Sequence, residues 1–277
     1  MYSSNTPPMK ILQFLLLFAL ILTSPAFSAS GMPQPASQFK TDSIQPRNDL
    51  SKANLKGQVK TITQTSADAL EKDGVVEAGH VNGISVTSYN KLGFVTGTTM
   101  THPGDMTGSE NVVKFDERGF VKGSETYNTV GSLVGEDASI CDEWGRVIER
   151  TLYDDKGEMT SRSVIQYDSL NYKSEVNEYV ASCNCYVKVL FTYDRKGNEI
   201  ERNETQSNDS TRLSYAYKYD ENSNMIEKID YRNGKFLWRM TFQYVTFDPN
   251  GNWTKRISYT EAKYASSYTE RLIEYYP

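Results

Sequence analysis

The sequence predicts an all-β protein: a wide antiparallel repeat sheet of tandem hairpins, with a 26-residue period, that curls or spirals. Three observations carry this. A turn motif recurs at a fixed interval, the segments between turns alternate in polarity, and the aromatic surplus (19 Tyr and 11 Phe against 3 Trp) suits pleated, half-buried surfaces.

The motif is an aromatic residue, usually Asp, two residues, then Gly. It begins at Tyr89, Phe115, Cys141, Tyr167, Tyr193, Tyr219 and Phe247, so five spacings of 26 are followed by one of 28. Tyr275 stands a further 28 residues on. A second marker lies 12 residues after a start, at Tyr127, Tyr153, Tyr179, Tyr231 and Tyr259, with Thr101 and Thr205 in the other two copies. Asp-x-x-Gly is turn chemistry, because Asp bonds the backbone two residues on and Gly accepts φ > 0.

The elements follow in chain order. Residues 1–30 read as a signal peptide. Lys10 precedes the apolar run Ile11–Leu22, which is shorter than the ~20 residues a spanning helix needs, and small residues then place cleavage near Ser28 or Ser30. Residues 31–54 read as a flexible leader. Residues 55–80 read as a lead-in strand and a cap, which repeat arrays need at their ends. Residues 81–277 form the repeat domain. Val147–Tyr153 and Met225–Tyr231 interleave apolar and charged positions, as half-buried strands do. Second turns follow at Asp154–Gly157 and Arg232–Lys235, and Tyr215, Tyr217 and Tyr219 then fall on one face of the next strand. Two strands per copy give about 14 strands, more than an open twisted sheet holds without curling, splitting or flattening.

The pattern Tyr193-Asp194-Arg195-Lys196-Gly197-Asn198-Glu199-Ile200-Glu201 resembles the YD repeat of the RHS family over roughly residues 81–277. The resemblance implies an exported bacterial protein whose repeats build a spiralling β-sheet. The period here is longer than the usual YD unit. The chain also lacks the family's core segment, its self-cleaving aspartates and a toxin cargo, so the likeness is to a short form and brings no catalytic residue with it.

Few residues carry chemistry. Lys and Arg number 30 against 35 Asp and Glu, a net charge of −5, which argues against a nucleic-acid partner. His80 and His102 form no metal-spaced pair. The turns at Asp220–Asn224 and Asp248–Asn252 offer oxygens at alternate positions, but lack the sixth-position Gly and twelfth-position carboxylate of a calcium loop, and read as Asx turns. The pairs Glu149/Arg150, Glu201/Arg202 and Glu227/Lys228 recur in register and read as solvated cross-strand pairs. Cys141 takes an aromatic position, and Cys183 and Cys185 flank Asn184 in a turn. Their pairing is open, and a Cys183–Cys185 bridge is expected to be strained.

No catalytic, cofactor or metal site is expected. The candidate binding surface is the aromatic ladder Tyr215, Tyr217, Tyr219, Phe242 and Tyr244, which either stacks on a partner or forms the core. The function expected is a non-enzymatic protein, periplasmic or secreted, that binds a protein or glycan of the bacterial envelope, with no transmembrane segment after signal cleavage. The rival expectations are a small carboxylate-dependent glycan hydrolase and an immunity-type protein that neutralises a toxin.

Overall fold

The computed structural model describes residues 48–104 and 107–277. The expected signal peptide and most of the leader lie outside the described residues. Within them, a short helix α1 (Asp49–Lys52) precedes β1 (Val59–Lys72), β2 (Val75–Tyr89), β3 (Val95–His102), β4 (Thr107–Phe115) and β5 (Val121–Asn128). There follow β6 (Leu133–Cys141), β7 (Val147–Asp154), β8 (Met159–Tyr167), β9 (Lys173–Val180), β10 (Cys185–Tyr193) and β11 (Glu199–Gln206). The last are β12 (Asp209–Tyr219), β13 (Met225–Arg232), β14 (Lys235–Phe247), β15 (Trp253–Thr260) and β16 (Ala265–Tyr275).

Every strand pairs antiparallel with its sequence neighbours, and β1 also pairs with β16, from Val59 opposite Tyr275 to Asp68 opposite Ser267. The sheet is therefore a closed barrel of 16 strands, not the open curl or spiral expected from the sequence. Closure satisfies both edge strands at once. It is made by the lead-in segment: the residues expected as a cap continue β1 and form β2, as part of the wall.

The repeat explains the wall. In each copy the Asx oxygen accepts two backbone N–H groups; Asp116 Oδ1, for example, accepts from Arg118 and Phe120, both at 2.9 Å. The same two bonds form at Asn90, Asp142, Asp168, Asp194, Asp220 and Asp248. The fifth motif position has positive φ throughout, with Asn171 (67°) and Ser223 (64°) where the other copies have Gly. These turns share one rim of the barrel, and the alternate hairpins form the other.

A β-bulge follows the turn. Cys141 faces Val147 while Ile140 faces Glu149, so Ile148 opposes nothing. Ser174, Ile200 and Ile226 are skipped in the same way. The pleat puts the two members of each charged pair on opposite faces, and the bulge sets which one points inward. Glu149, Glu175, Glu201 and Glu227 point outward, whereas Arg150, Val176, Arg202 and Lys228 point into the barrel. The recurring pairs are thus not solvated pairs with each other. The outward acids bond to bases on a neighbouring strand: Arg162–Glu149 and Lys188–Glu175 at 2.8 Å, and Lys218–Glu227 at 2.5 Å.

Residues 48–57, which overlap the expected leader, form a strap across the turn-bearing rim. Leu50 N–H bonds Gly93 O at 3.1 Å on one side. Asn54 Nδ2 donates to Asn222 O at 2.9 Å, and Lys56 N–H to Asn252 Oδ1 at 2.8 Å, on the other. Asn48 caps α1 by accepting from Ser51 N–H at 2.9 Å. Leu50 packs with Val59, Ile62 and Tyr89, against Leu55, Val95, Ile273 and Tyr275, where the two ends of the wall meet.

Candidate functional site in the barrel lumen

Beneath the strap the lumen holds a cavity of about 950 Å³. Strap residues Asp49–Leu55 form its roof, apart from Leu50, which is buried in the core. The walls carry Tyr167, Tyr193, Tyr217, Tyr219, Tyr244 and Trp253, and the cations Arg146, Arg150, Lys173, Arg202, Arg256 and Arg271.

All five residues of the expected aromatic ladder point inward from β12 and β14, with β13 between them. Tyr217, Tyr219 and Tyr244 line the cavity. Tyr215 and Phe242 do not. Tyr215 sits with its ring under the Lys228 ammonium at 5.0 Å, and Phe242 under the Arg256 guanidinium at 4.9 Å. Burial pushes the Tyr215 phenol up to about 12 and moves Tyr217 and Tyr219 in the same direction. These hydroxyls are neutral donors at any physiological pH.

The cations fall into two groups. Arg150 is held bidentate by the buried carboxylate of Asp137, at 2.9 and 2.8 Å. Arg146 pairs with Asp142 at 2.6 Å and Arg202 with Glu199 at 2.9 Å. Arg256 and Arg271 have no such partner among the described residues. They stand on adjacent strands, and both guanidinium groups lie over the Trp253 ring, at 4.8 and 3.5 Å from its centroid. Arg271 Nε donates to Gln64 Oε1 at 3.0 Å. Arg256 Nε is buried without an acceptor. Burial first, and the neighbouring Arg256 charge second, push Arg271 down to about 10. Lys173 lies over Phe191 at 4.5 Å, and burial lowers it too.

Deeper in the barrel, Glu178, Glu204 and Asp230 occupy one phase of the repeat on β9, β11 and β13. Burial raises the pKa of all three. Ser161 Oγ donates to Glu178 at 2.8 Å, and Lys228 pairs with Asp230 at 3.2 Å. None of the three carboxylates lines the cavity.

Sequence reasoning located the tyrosines but missed Trp253, Arg256, Arg271 and Lys173. A partial signal existed, because Arg150, Arg202, Lys228 and Arg256 share one repeat phase. The Asp220 and Asp248 carboxylates are engaged by backbone N–H groups of their own turns, as Asx turns require. Cys183 and Cys185 are joined, with Cα atoms 5.2 Å apart at the tip of the β9–β10 hairpin, and Cys141 is free. Asn184, in the left-handed region at φ 47°, lets the chain reverse between them.

No protein-family model and no curated protein sequence matches the chain. The YD resemblance therefore rests on the motif alone. Among solved structures, a porin-like protein from Bacteroides uniformis is similar at a TM-score of 0.52 and 12% identity, over 79% of this chain and 98% of that one. A porin-like protein from Bacteroides vulgatus aligns over 79% and 99% at 12% identity, with a TM-score of 0.44. A TcdB2-TccC3-Cdc42 complex aligns at 13% identity and a TM-score of 0.29, over 73% of this chain and 13% of that one. At these identities the first similarity establishes the antiparallel barrel fold and nothing finer.

Proposed function

We propose that this protein is an exported, non-enzymatic repeat barrel of the bacterial envelope that binds a glycan in its lumen. The observation that carries the reading is the cavity of about 950 Å³ walled by tyrosines, a tryptophan and arginines. Flat aromatic faces with polar rims suit sugar rings, which present C–H faces and equatorial hydroxyls. The strap over the mouth favours a small or linear ligand over a folded protein partner. Export rests on the signal-like segment at residues 11–28.

The outer wall supports a water-facing barrel in the periplasm or outside the cell. A strand that faces lipid exposes an apolar band, and a charge at the bilayer midplane costs roughly 2–4 kcal/mol. Here the outward positions carry the Arg162–Glu149, Lys188–Glu175 and Arg239–Glu227 pairs. Among the described residues no helix is long and apolar enough to cross a membrane, which leaves a strand-built membrane barrel untouched.

The hydrolase alternative would need two carboxyls, one with a raised pKa, beside the bound sugar. Glu178, Glu204 and Asp230 have the raised values but lie off the cavity lining. The test is a panel of envelope and plant oligosaccharides titrated calorimetrically against the mature protein, with reducing ends assayed after incubation. Saturable binding without release of reducing ends supports the reading. Hydrolysis abolished by Glu204→Gln would overturn it.

A further inference from the structure

We propose that Arg256 and Arg271, stacked on Trp253, form an anion subsite that holds a carboxylate or phosphate group carried by the ligand. The inference deepens the glycan reading and rests on it for the rest of the ligand, but the subsite can be tested alone.

The cations of this one cavity differ in how their charge is met. Arg146, Arg150 and Arg202 each have a carboxylate at hydrogen-bond distance. Such pairing is the ordinary way to tolerate a cation in a partly dry interior. Arg256 and Arg271 depart from it while lining the same cavity. The groups facing them from the packed strands are Gln64 on β1, Tyr89 on β2, Phe242 and Tyr244 on β14 and Trp253 on β15, and none is an acid. Two like charges held side by side repel unless an anion is shared between them. The Trp253 ring compensates in part, since a guanidinium on an aromatic face gains electrostatic and dispersion energy. It also holds both guanidinium groups at the cavity wall, where Arg271 Nε donates to Gln64 and Arg256 bonds the Tyr244 side chain. Arg256 Nε, buried with no acceptor, is a donor waiting for one.

Guanidinium forks match carboxylate and phosphate oxygens in bidentate geometry. Tyr244 lies 5.7 Å from Trp253, ring centre to ring centre, and offers a sugar-stacking face beside the charge. A uronic acid and a sugar phosphate both present that combination, and the experiment separates them.

The mature protein is titrated calorimetrically with tetragalacturonate, with glucose 1-phosphate, with neutral maltotetraose and with inorganic phosphate. One or both acidic sugars should bind at least tenfold more tightly than maltotetraose, and Arg256→Gln and Arg271→Gln should each remove that advantage. The preferred acidic sugar identifies the anion. Raising salt from 50 to 500 mM should weaken acidic binding in the wild type, a readout that stands if a variant fails to fold. Equal binding of neutral and acidic sugars, unchanged in Arg256→Gln, would overturn the subsite and leave the glycan reading standing. Phosphate binding lost in the variants, without any sugar binding, would keep the subsite and overturn the glycan reading. Absence of binding by all four probes overturns both.

Discussion

The phenol of Tyr193 donates to the backbone carbonyl of Lys173 at 2.9 Å. The β9–β10 ladder ends at Glu175 opposite Leu190, so the Lys173 carbonyl lies beyond it. The repeat's tyrosine, pointing inward from the end of one strand, satisfies the first carbonyl of the strand before it. Tyr167 does this for Val147 at 3.0 Å, and Tyr219 for Glu199 at 2.8 Å. In the last copy Tyr244, three residues before the motif start at Phe247, takes the same role for Met225 at 2.8 Å, and in the copy with cysteine the Cys141 thiol takes Val121 at 3.3 Å. The aromatic residue of the motif is therefore a structural donor as well as a wall of the cavity. Tyr193→Phe keeps the ring and removes the donor. Leaving that carbonyl unsatisfied should cost about 1–3 kcal/mol in urea unfolding. Tyr264→Phe, on an exposed ring, should change stability by less than about 0.5 kcal/mol.

The turn glycines should separate backbone strain from crowding. Gly119 and Gly145 both have φ near +80°, and a Cβ on Gly119 meets nothing within 4 Å. A Cβ on Gly145 stands 2.7 Å from the Phe120 ring. Gly119→Ala should cost about 1 kcal/mol from conformation alone. Gly145→Ala should cost clearly more, because the ring must move. Equal losses in thermal melts would show that the Phe120 ring gives way freely.

Much of this architecture was legible because its chemistry is local. An Asp that bonds its own turn leaves its mark within five residues, so the period and the strand succession could be read from the chain. Closure could not. Val59 meets Tyr275 only in three dimensions, and no local pattern says that the first and last strands pair. The faces were misread for a different reason. Consecutive strand residues face opposite ways, so a recurring Glu-Arg pair that looks like one surface is an outer acid and an inner base, and the bulge at Ile148 decides which member points inward. The Arg256–Arg271 juxtaposition depends on both effects and had no sequence signal of its own.

The buried carboxyls set a pH dependence. Glu178, Glu204 and Asp230 have higher pKa values folded than unfolded, because burial disfavours their charged forms. The folded state thus holds their protons more tightly. Stability from these groups is greatest below the unfolded carboxylate pKa and falls as pH rises through the folded values. Glu204→Gln removes the ionisation and keeps the shape. It should raise the melting temperature at pH 7.5, and the gain should vanish near pH 4. A variant destabilised at pH 7.5 but not near pH 4 would show instead that Glu204 serves the fold as a charged partner of Arg202.

The thiols should report unequally. With Cys183 and Cys185 bonded, the oxidised mature protein should show one thiol to Ellman's reagent in denaturant and three after reduction. In the native state Cys141 should react slowly, because burial raises its pKa and its Sγ donates to Val121 O. Mass spectrometry of a digest that finds Cys141 in a disulfide would refute this pairing.

The outer wall makes a claim about solvent. Each cross-strand ion pair on a water-facing barrel is worth about 0.2–1 kcal/mol. On a lipid-facing barrel the same charges would stand in hydrocarbon, and several of them together would exclude insertion. Glu149 and Glu175 are the third residues of β7 and β9, and Arg162 and Lys188 the fourth of β8 and β10, so both pairs stand on the outer face within the strand spans. The mature chain should therefore purify without detergent, stay in the aqueous phase of a Triton X-114 partition and leave liposomes intact. Replacing Glu175 and Lys188 together by Val should leave it folded but lower its solubility. If the wild-type barrel needed detergent to stay in solution, or released dye from vesicles, the ion pairs would have to face one another across a membrane-embedded assembly, and the water-facing reading would fall.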